Sequence, residues 1–319
     1  MQRTIGAHLA LAGAMVIVGS SVPVSRYLTF EVPVFAGSML RFLAAVLLLT
    51  PLMPGTWRRL ALLDRAAWSV IAAQAFFGVA LFSAAMFFGL RLIGASQGGI
   101  LMATTPAVVY LMALAFAGES HKRMKDLGAV LAFAALVVLN GGEDAAGVGR
   151  LDGDALLGAA LVLVAVLGEA LFTILRMRIT TTVSPIDNTV AVTVLALVML
   201  AVPGGLELAA TGPTILTGPV LAALAYMGGA VTVGAFLLWF HGVGRVSGAT
   251  AGSYTTLMPL SAIAGAAIFL KEPVGLHLLI SAALALAAIG CATLGEREPA
   301  AVTSRPTGQD GDRASSARS

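Results

Sequence analysis

Apolar residues run through the chain in long blocks, and polar residues gather between them. Ten blocks approach the roughly 20 residues that a helix needs to cross a hydrocarbon core. They lie at 5–22, 33–52, 67–88, 95–117, 125–140, 155–175, 186–203, 219–239, 247–270 and 274–294. Turn chemistry separates them at Pro51-Leu52-Met53-Pro54-Gly55, Asn140-Gly141-Gly142, Pro203-Gly204-Gly205 and Gly212-Pro213. After the last block, 295–319 is rich in Ser, Arg, Asp and Gly and reads as a disordered tail. Arg3 and the apolar run behind it mimic a signal peptide. The further spans downstream favour an uncleaved first helix instead.

The blocks repeat. A shift of 153 positions sets Phe87 on Phe240, Gly89 on Gly242, Gly99 on Gly252, Pro106 on Pro259, Phe116 on Phe269 and Glu119 on Glu272. Each half holds five blocks, 5–140 and 155–294. An odd unit places its copy upside down in the membrane. The expected fold is therefore all-α, ten transmembrane helices in two inverted five-helix repeats. Secondary transporters are often built this way, with the substrate at the midplane between the repeats.

Composition agrees with lipid as the main solvent. The 319 residues are 58% hydrophobic and 11% charged, against about 25% charged in soluble domains. The net charge of +3 comes from scattered loop residues, which gives no footprint for nucleic acid. Basic loops stay on the cytoplasmic side. With both termini inside, fourteen basic residues fall inside and four outside (Arg26, Arg91, Arg150 and Lys271), or ten to four without the tail. The expected location is the bacterial inner membrane, with loop 141–154 outside. A single cysteine, Cys291, rules out an internal disulfide and a multi-cysteine metal site.

The residues Ala95-Ser96-Gln97-Gly98-Gly99-Ile100-Leu101-Met102-Ala103-Thr104-Thr105-Pro106, followed by Gly118-Glu119, resemble the fourth span of the drug/metabolite transporter superfamily, EamA type. Their echo runs from Gly248-Ala249-Thr250-Ala251-Gly252 through Pro259 to Lys271-Glu272-Pro273. Arg41-Phe42 and Val18-Gly19-Ser20 resemble motifs of that family's second and first spans, with Val18 where a Trp is usual. The resemblance covers residues 5–294. It implies a ten-helix basket working by alternating access, an exporter of amino acids or related metabolites. The first, third, fourth, sixth, eighth and ninth helices would lie nearest the cavity.

Within that frame a few polar residues stand out. Glu169 is the only acid well inside a span. A charge facing lipid costs about 2.5–3.5 kcal/mol on insertion scales, so Glu169 is expected to face the cavity or find a partner. It reads as a proton-coupling or cation-binding group, or as a structural carboxylate. Ser20 falls opposite it under the repeat. Arg41 is the only base well inside a span. A guanidinium can grip a substrate carboxylate with two hydrogen bonds. Because the second span is peripheral in the family, a snorkelling or carbonyl-bound Arg41 is the reading preferred here.

The fourth and ninth spans carry the most uncharged polarity. Pro106 and Pro259 free backbone carbonyls there, and such groups survive in a membrane against protein or a wet cavity. Gln97, Thr105, Tyr254 and Thr255 are therefore expected on a polar cavity wall, with Gln74 and Tyr226 as further candidates. The pairs Gly94/Gly98 and Gly248/Gly252 predict close helix packing. Together these features predict a secondary exporter of small metabolites, with protons as the candidate coupling ion. It would act as monomer or homodimer in the lipid bilayer, with no cofactor and no metal. An uncoupled facilitator or importer is a second reading, and a non-transporting scaffold a third. No nucleotide loop, Gly-x-Ser-x-Gly elbow or intramembrane acid pair suggests an enzyme.

Overall fold

A computed structural model describes residues 2–116, 121–140, 153–179, 183–212, 215–243, 254–255 and 257–295. The predicted tail, loop 141–152 and the Gly248/Gly252 pair lie outside these residues. Helices α1 (Gln2–Glu31), α2 (Val34–Leu49) and α3 (Met53–Leu60) come first. A third span follows as α4 (Arg65–Ala73), a π-helical segment (Gln74–Leu81) and α5 (Phe82–Leu92). The fourth is α6 (Ala95–Met102) and α7 (Thr105–Phe116), and the fifth and sixth are α8 (Arg123–Asn140) and α9 (Gly153–Met177). Then come α10 (Pro185–Thr211), α11 (Gly218–Ala225), a second π-helical segment (Tyr226–Gly234) and α12 (Ala235–Val243). The described chain closes with α13 (Leu257–Phe269) and α14 (Leu276–Gly295). There is no strand among the described residues.

Seven of these runs are long and apolar enough to cross a membrane, and α2 with α3, bent by 96° at their junction, would make an eighth only if counted as one span. The remaining two predicted stretches are occupied by α8, of 18 residues, and α13, of 13. Large apolar side chains point outward all around the bundle, among them Phe133, Val202, Leu206 and Phe269. Water would penalise such a surface, whereas hydrocarbon does not.

An expected break is not a break, and a proline just past a predicted span does not end its helix. Pro203-Gly204-Gly205 reads as a turn, yet α10 runs through it and ends only at Gly212, whose φ of 76° needs no Cβ. Likewise α1 continues past Pro23 to Glu31. Neighbouring helices make this possible. Gly265 of α13 seats against the Pro23 ring, and Gly204 lies flush on the Phe35 carbonyl and the Met39 side chain of α2. These small residues mark helix crossings rather than chain reversals. By contrast, Thr50-Pro51 does turn the chain, through 96° between α2 and α3.

Packing links the two halves of the chain. Helix α2 packs on α10, and α8 on α14. Helix α1 packs on α12 and α13, while α9 packs on α5 and α7. The two π-helical segments begin at Gln74 and Tyr226, close to the repeat spacing. Single-turn π elements often mark functional positions, and here each runs past the middle of its span.

Gly228, in the second π segment, touches α2 most tightly. A Cβ there would lie 2.6 Å from the Arg41 carbonyl oxygen and 2.7 Å from Ala44 Cβ. Backbone cannot yield as a side chain can, so Gly228→Ala should lower the thermal unfolding midpoint of the detergent-solubilised protein. Overpacking costs about 1–3 kcal/mol. Gly205→Ala is the control, because nothing lies within 4 Å of its added Cβ. Equal midpoints for the two variants would contradict the close α2 contact.

Candidate functional site

A cavity of about 260 Å³ lies among the helices of both halves. Helix α1 contributes Val18, Ser21, Val22 and Ser25, and α2 contributes Arg41 and Phe42. The third span supplies Gly78, Val79, Phe82, Ser83, Met86 and Phe87, and α9 supplies Glu169 and Phe172. From α10 come Thr189, Val192 and Thr193, and from the eighth span Met227, Val231, Thr232 and Phe236. The fourth and ninth spans add one methionine each, Met102 and Met258.

The wall follows from local sequence. Ser21 and Ser25 are four residues apart on α1, as are Thr189 and Thr193 on α10, so each pair shares one helix face. The two π segments widen the backbone where Gly78 meets Phe172 and where the Thr232 hydroxyl bonds back to the Met227 carbonyl at 2.8 Å. Gly78 leaves no room for a side chain, since a Cβ would sit 2.7 Å from Phe172 Cδ2.

Two ionisable groups of opposite type face this space. Arg41 stands with its guanidinium carbon 4.6 Å from the Phe42 ring centre, in cation–π contact. Its buried Nε has no hydrogen-bond partner among the described residues, and neither has the buried Ser83 Oγ. Buried polar groups are nearly always hydrogen-bonded, so two free ones on one cavity wall are places for water or a polar ligand. Glu169 has one side-chain partner, Thr105 Oγ1, at 3.1 Å from Oε2. There is no ion pair between Arg41 and Glu169 among the described residues. The space thus presents a guanidinium and a carboxyl group that are not paired by contact.

Of the residues singled out from sequence, Arg41 and Glu169 line the cavity and Thr105 touches Glu169. Among the described residues Arg41 has no carbonyl bond of the kind preferred above; it lines the cavity between the halves. The others are engaged elsewhere. Gln97 caps α6, accepting the Gly94 N–H at 3.2 Å. Tyr254 pairs with His8 Nδ1 at 2.8 Å. The Thr255 carbonyl takes the Met258 N–H at the start of α13. Gln74 is fully buried against α10, where it accepts from Asn188 at 3.0 Å. Tyr226 and Ser20 share a hydrogen bond of 2.5 Å, and the Ser20 hydroxyl also lies 2.8 Å from the Ile17 carbonyl. The fourth and ninth spans do meet, with Gly99 against Ala262, but they bring methionines to the cavity rather than the expected polar wall. Sequence reading passed over Ser21, Ser25, Ser83, Thr189 and Thr193. Hydroxyls four residues apart in an otherwise apolar helix were the available signal.

Polar clusters tie the helices together away from the cavity. At one end, Glu272 Oε1 accepts the Ala95 N–H at 2.7 Å and Arg26 Nε at 3.0 Å, and Oε2 accepts the Ser96 N–H at 3.0 Å. Arg26 also donates to the Leu90 and Ile93 carbonyls. A carboxylate thus caps the start of α6, where helix N–H groups are unpaired, and holds the ends of α1, α5 and α13 to it. A second cluster joins α3 to α10: the buried Asp187 accepts from Thr56 at 2.8 Å, Ser184 at 2.7 Å and Arg59 Nε at 2.7 Å. The Asp187 carboxylate holds the Arg59 guanidinium above its ordinary range by that hydrogen bond.

Comparison with known proteins agrees with the fold. The model of the EamA-like transporter family matches residues 5–141 and again 156–294. An uncharacterized transporter of Bacillus subtilis (strain 168), YetK, is 30% identical over 301 residues, covering 94% of this chain and 90% of that protein. A second from the same organism, the uncharacterized transporter YvbV, is 25% identical over 282 residues, covering 88% and 89%. A crystal structure at 19% identity superposes with a TM-score of 0.61 over 92% of this chain and 96% of the other, a likeness of fold.

The cavity is testable without a substrate. With Cys291 replaced by serine, Ser25→Cys and Thr193→Cys should react with a small charged thiol reagent, since thiolates form only where water reaches. Val198→Cys, on the outer face of α10 at 63% exposure, should stay unreacted in a bilayer. Silence at both cavity positions would mean that the space is dry.

Proposed function

The chain belongs to the EamA-like transporter family, and from that premise we propose that it is a secondary active exporter of small zwitterionic metabolites. The observation that carries the substrate class is the cavity itself. It holds one guanidinium and one carboxylate that are not paired with each other, set among serine and threonine hydroxyls and the side chains of Phe and Met. An amino-acid-like solute offers a carboxylate to Arg41, an ammonium to Glu169 and an apolar body to Phe82, Phe172 and Met258. The volume, near the lower end of the roughly 300–1,000 Å³ usual for small-molecule sites, favours a single small solute.

The way the halves interlock supports an alternating-access reading. The contacts of α1 with α12 and α13 have counterparts in those of α9 with α5 and α7, while α2–α10 and α8–α14 pair across the halves. This is the pattern expected of two inverted repeats related by a twofold axis in the membrane plane. Rocking of one repeat against the other would carry the cavity from one side to the other. The basic-residue bias favours both termini and the Arg59–Asp187 cluster at the cytoplasmic side, and the Arg26–Glu272 cluster at the outer side. Breaking and remaking the latter would open and close the outer end.

Glu169 is the group best placed to couple protons. Among the described residues it is the one acid lining the cavity, and its setting would change as water and substrate enter and leave. Glu169→Gln keeps the shape and removes the ionisation. In proteoliposomes, screened with a panel of amino acids, that variant should lose flux driven by a pH gradient while retaining exchange of substrate. Unchanged gradient-driven flux would assign coupling elsewhere. Orientation has its own check. In cells, a thiol introduced in loop 141–154 should react with an impermeant reagent and one in the tail should not; the reverse pattern overturns the assignment of sides.

A further inference from the structure

Counting protons at the break in the fourth span leads beyond the choice of Glu169 as coupling group, though it rests on that choice. Pro106 occupies the position whose N–H would close the helical bond to the Met102 carbonyl, and proline has no N–H. The backbone donors around the break go elsewhere: Thr104 N–H bonds to Leu101, and the N–H groups of Ala107 and Val108 bond to Thr104. The Met102 carbonyl is served instead by the Thr105 hydroxyl, at 2.7 Å. That same hydroxyl lies 3.1 Å from Glu169 Oε2. A threonine hydroxyl has one proton to give and lone pairs to receive another.

The two protonation states of Glu169 therefore differ in whether the site is satisfied. With Glu169 protonated, its O–H donates to Thr105 Oγ1, and the Thr105 O–H donates to the Met102 carbonyl. Each link from Glu169 through Thr105 to the Met102 carbonyl then has its donor. With the proton released to the cavity, both Glu169 Oε2 and the Met102 carbonyl are acceptors, and one proton cannot serve both. Either the carboxylate or the carbonyl loses its donor, in a place where an unpaired buried group is costly.

We propose that Thr105 reads the protonation state of Glu169 and passes it to the helix break at Ala103–Thr104, so that α7 keeps its present tilt while Glu169 is protonated and moves when it ionises. Pro106 is what makes the break responsive, because it leaves the carbonyl dependent on a side chain. The other titratable groups near α9, Arg41 apart, are hydrogen-bonded or at the helix ends. Arg41 faces Glu169 from α2 across the cavity. On the spans packed against α9, Arg65 is at the exposed start of α4, Arg91 bonds the Thr29 carbonyl at 2.9 Å and Tyr110 bonds Asp126 at 2.8 Å. On α9 itself, Arg176 bonds the carbonyls of Ile179 and Val183, and Asp154 lies in the first turn.

The test is a distance measured against pH in lipid nanodiscs. Spin labels replace Leu111 on α7 and Phe30 at the end of α1, both exposed, in a Cys291→Ser background. The label separation should shift with pH in this parent and in Thr105→Ser, which keeps the hydroxyl. It should be fixed in Glu169→Gln, whose amide donates as the acid does, and in Pro106→Ala, which returns an N–H to the Met102 carbonyl. Thr105→Val should be equally insensitive. A pH-dependent shift that survives in Pro106→Ala but vanishes in Glu169→Gln overturns the relay and leaves Glu169 as coupling group. A shift that survives in Glu169→Gln, or no shift in the parent, overturns the relay and the coupling role together.

Discussion

Inside a membrane each polar group must find its partner within the protein or face a wet cavity, and this constraint organises the molecule. Most polar side chains of the bundle meet it by hydrogen-bonding to another helix or to a nearby backbone carbonyl. Ser281 closes on the Ala135 carbonyl between α14 and α8, and Gln74 on Asn188 between the third span and α10. At the bundle ends, Glu272 and Asp187 gather orphan N–H groups and cations that would otherwise lose water. Among the described buried groups that lack a partner, Arg41 Nε and Ser83 Oγ belong to residues that line the same cavity as Glu169, while others, such as Ser96 Oγ and His277 Nδ1, lie away from it. A stable bundle that leaves such groups open at its centre has a use for them.

The same constraint explains how glycine and proline act here. In water these residues break helices, and in this chain several of them bring helices together. Gly204 and Gly228 let α10 and the second π segment lie against α2. Pro23 presents a ring for Gly265. Pro106 does break its span, and the freed Met102 carbonyl is taken by a neighbouring hydroxyl. Its one-proton supply is shared with Glu169, so a local repair of backbone geometry becomes sensitive to charge.

Much of the architecture was legible in the sequence. Hydropathy alone located helices in all ten stretches, since length and apolarity are set by the bilayer and not by tertiary detail. Glu169 was legible for the same reason, because a lone acid deep in a span has few tolerable surroundings. Arg41 was harder. Its place depends on α2 turning one face inward beside Gly228, a matter of packing that no local pattern encodes. Gln97 and Tyr254 mislead in the opposite direction. They are polar and lie in the expected spans, but a capping bond and a histidine engage them before they reach the cavity. Ser21 with Ser25 and Thr189 with Thr193 hid among apolar neighbours, since small hydroxyl residues are common in membrane helices and carry little signal one at a time. The extent of α10 escaped because turn rules learned from soluble chains overrate Pro203-Gly204-Gly205.

In the proposed mechanism one cavity between the halves serves both sides of the membrane in turn. Its most direct measurement is two-sided accessibility of a single cavity cysteine, Ser25→Cys in the Cys291→Ser background, reconstituted in vesicles of known orientation. An impermeant thiol reagent should reach it from the inside in one population of molecules and from the outside in another, with the balance moved by substrate, and the vesicles should hold an ion gradient throughout. Reaction from one side alone under every condition, or vesicles that leak ions freely, would contradict the account.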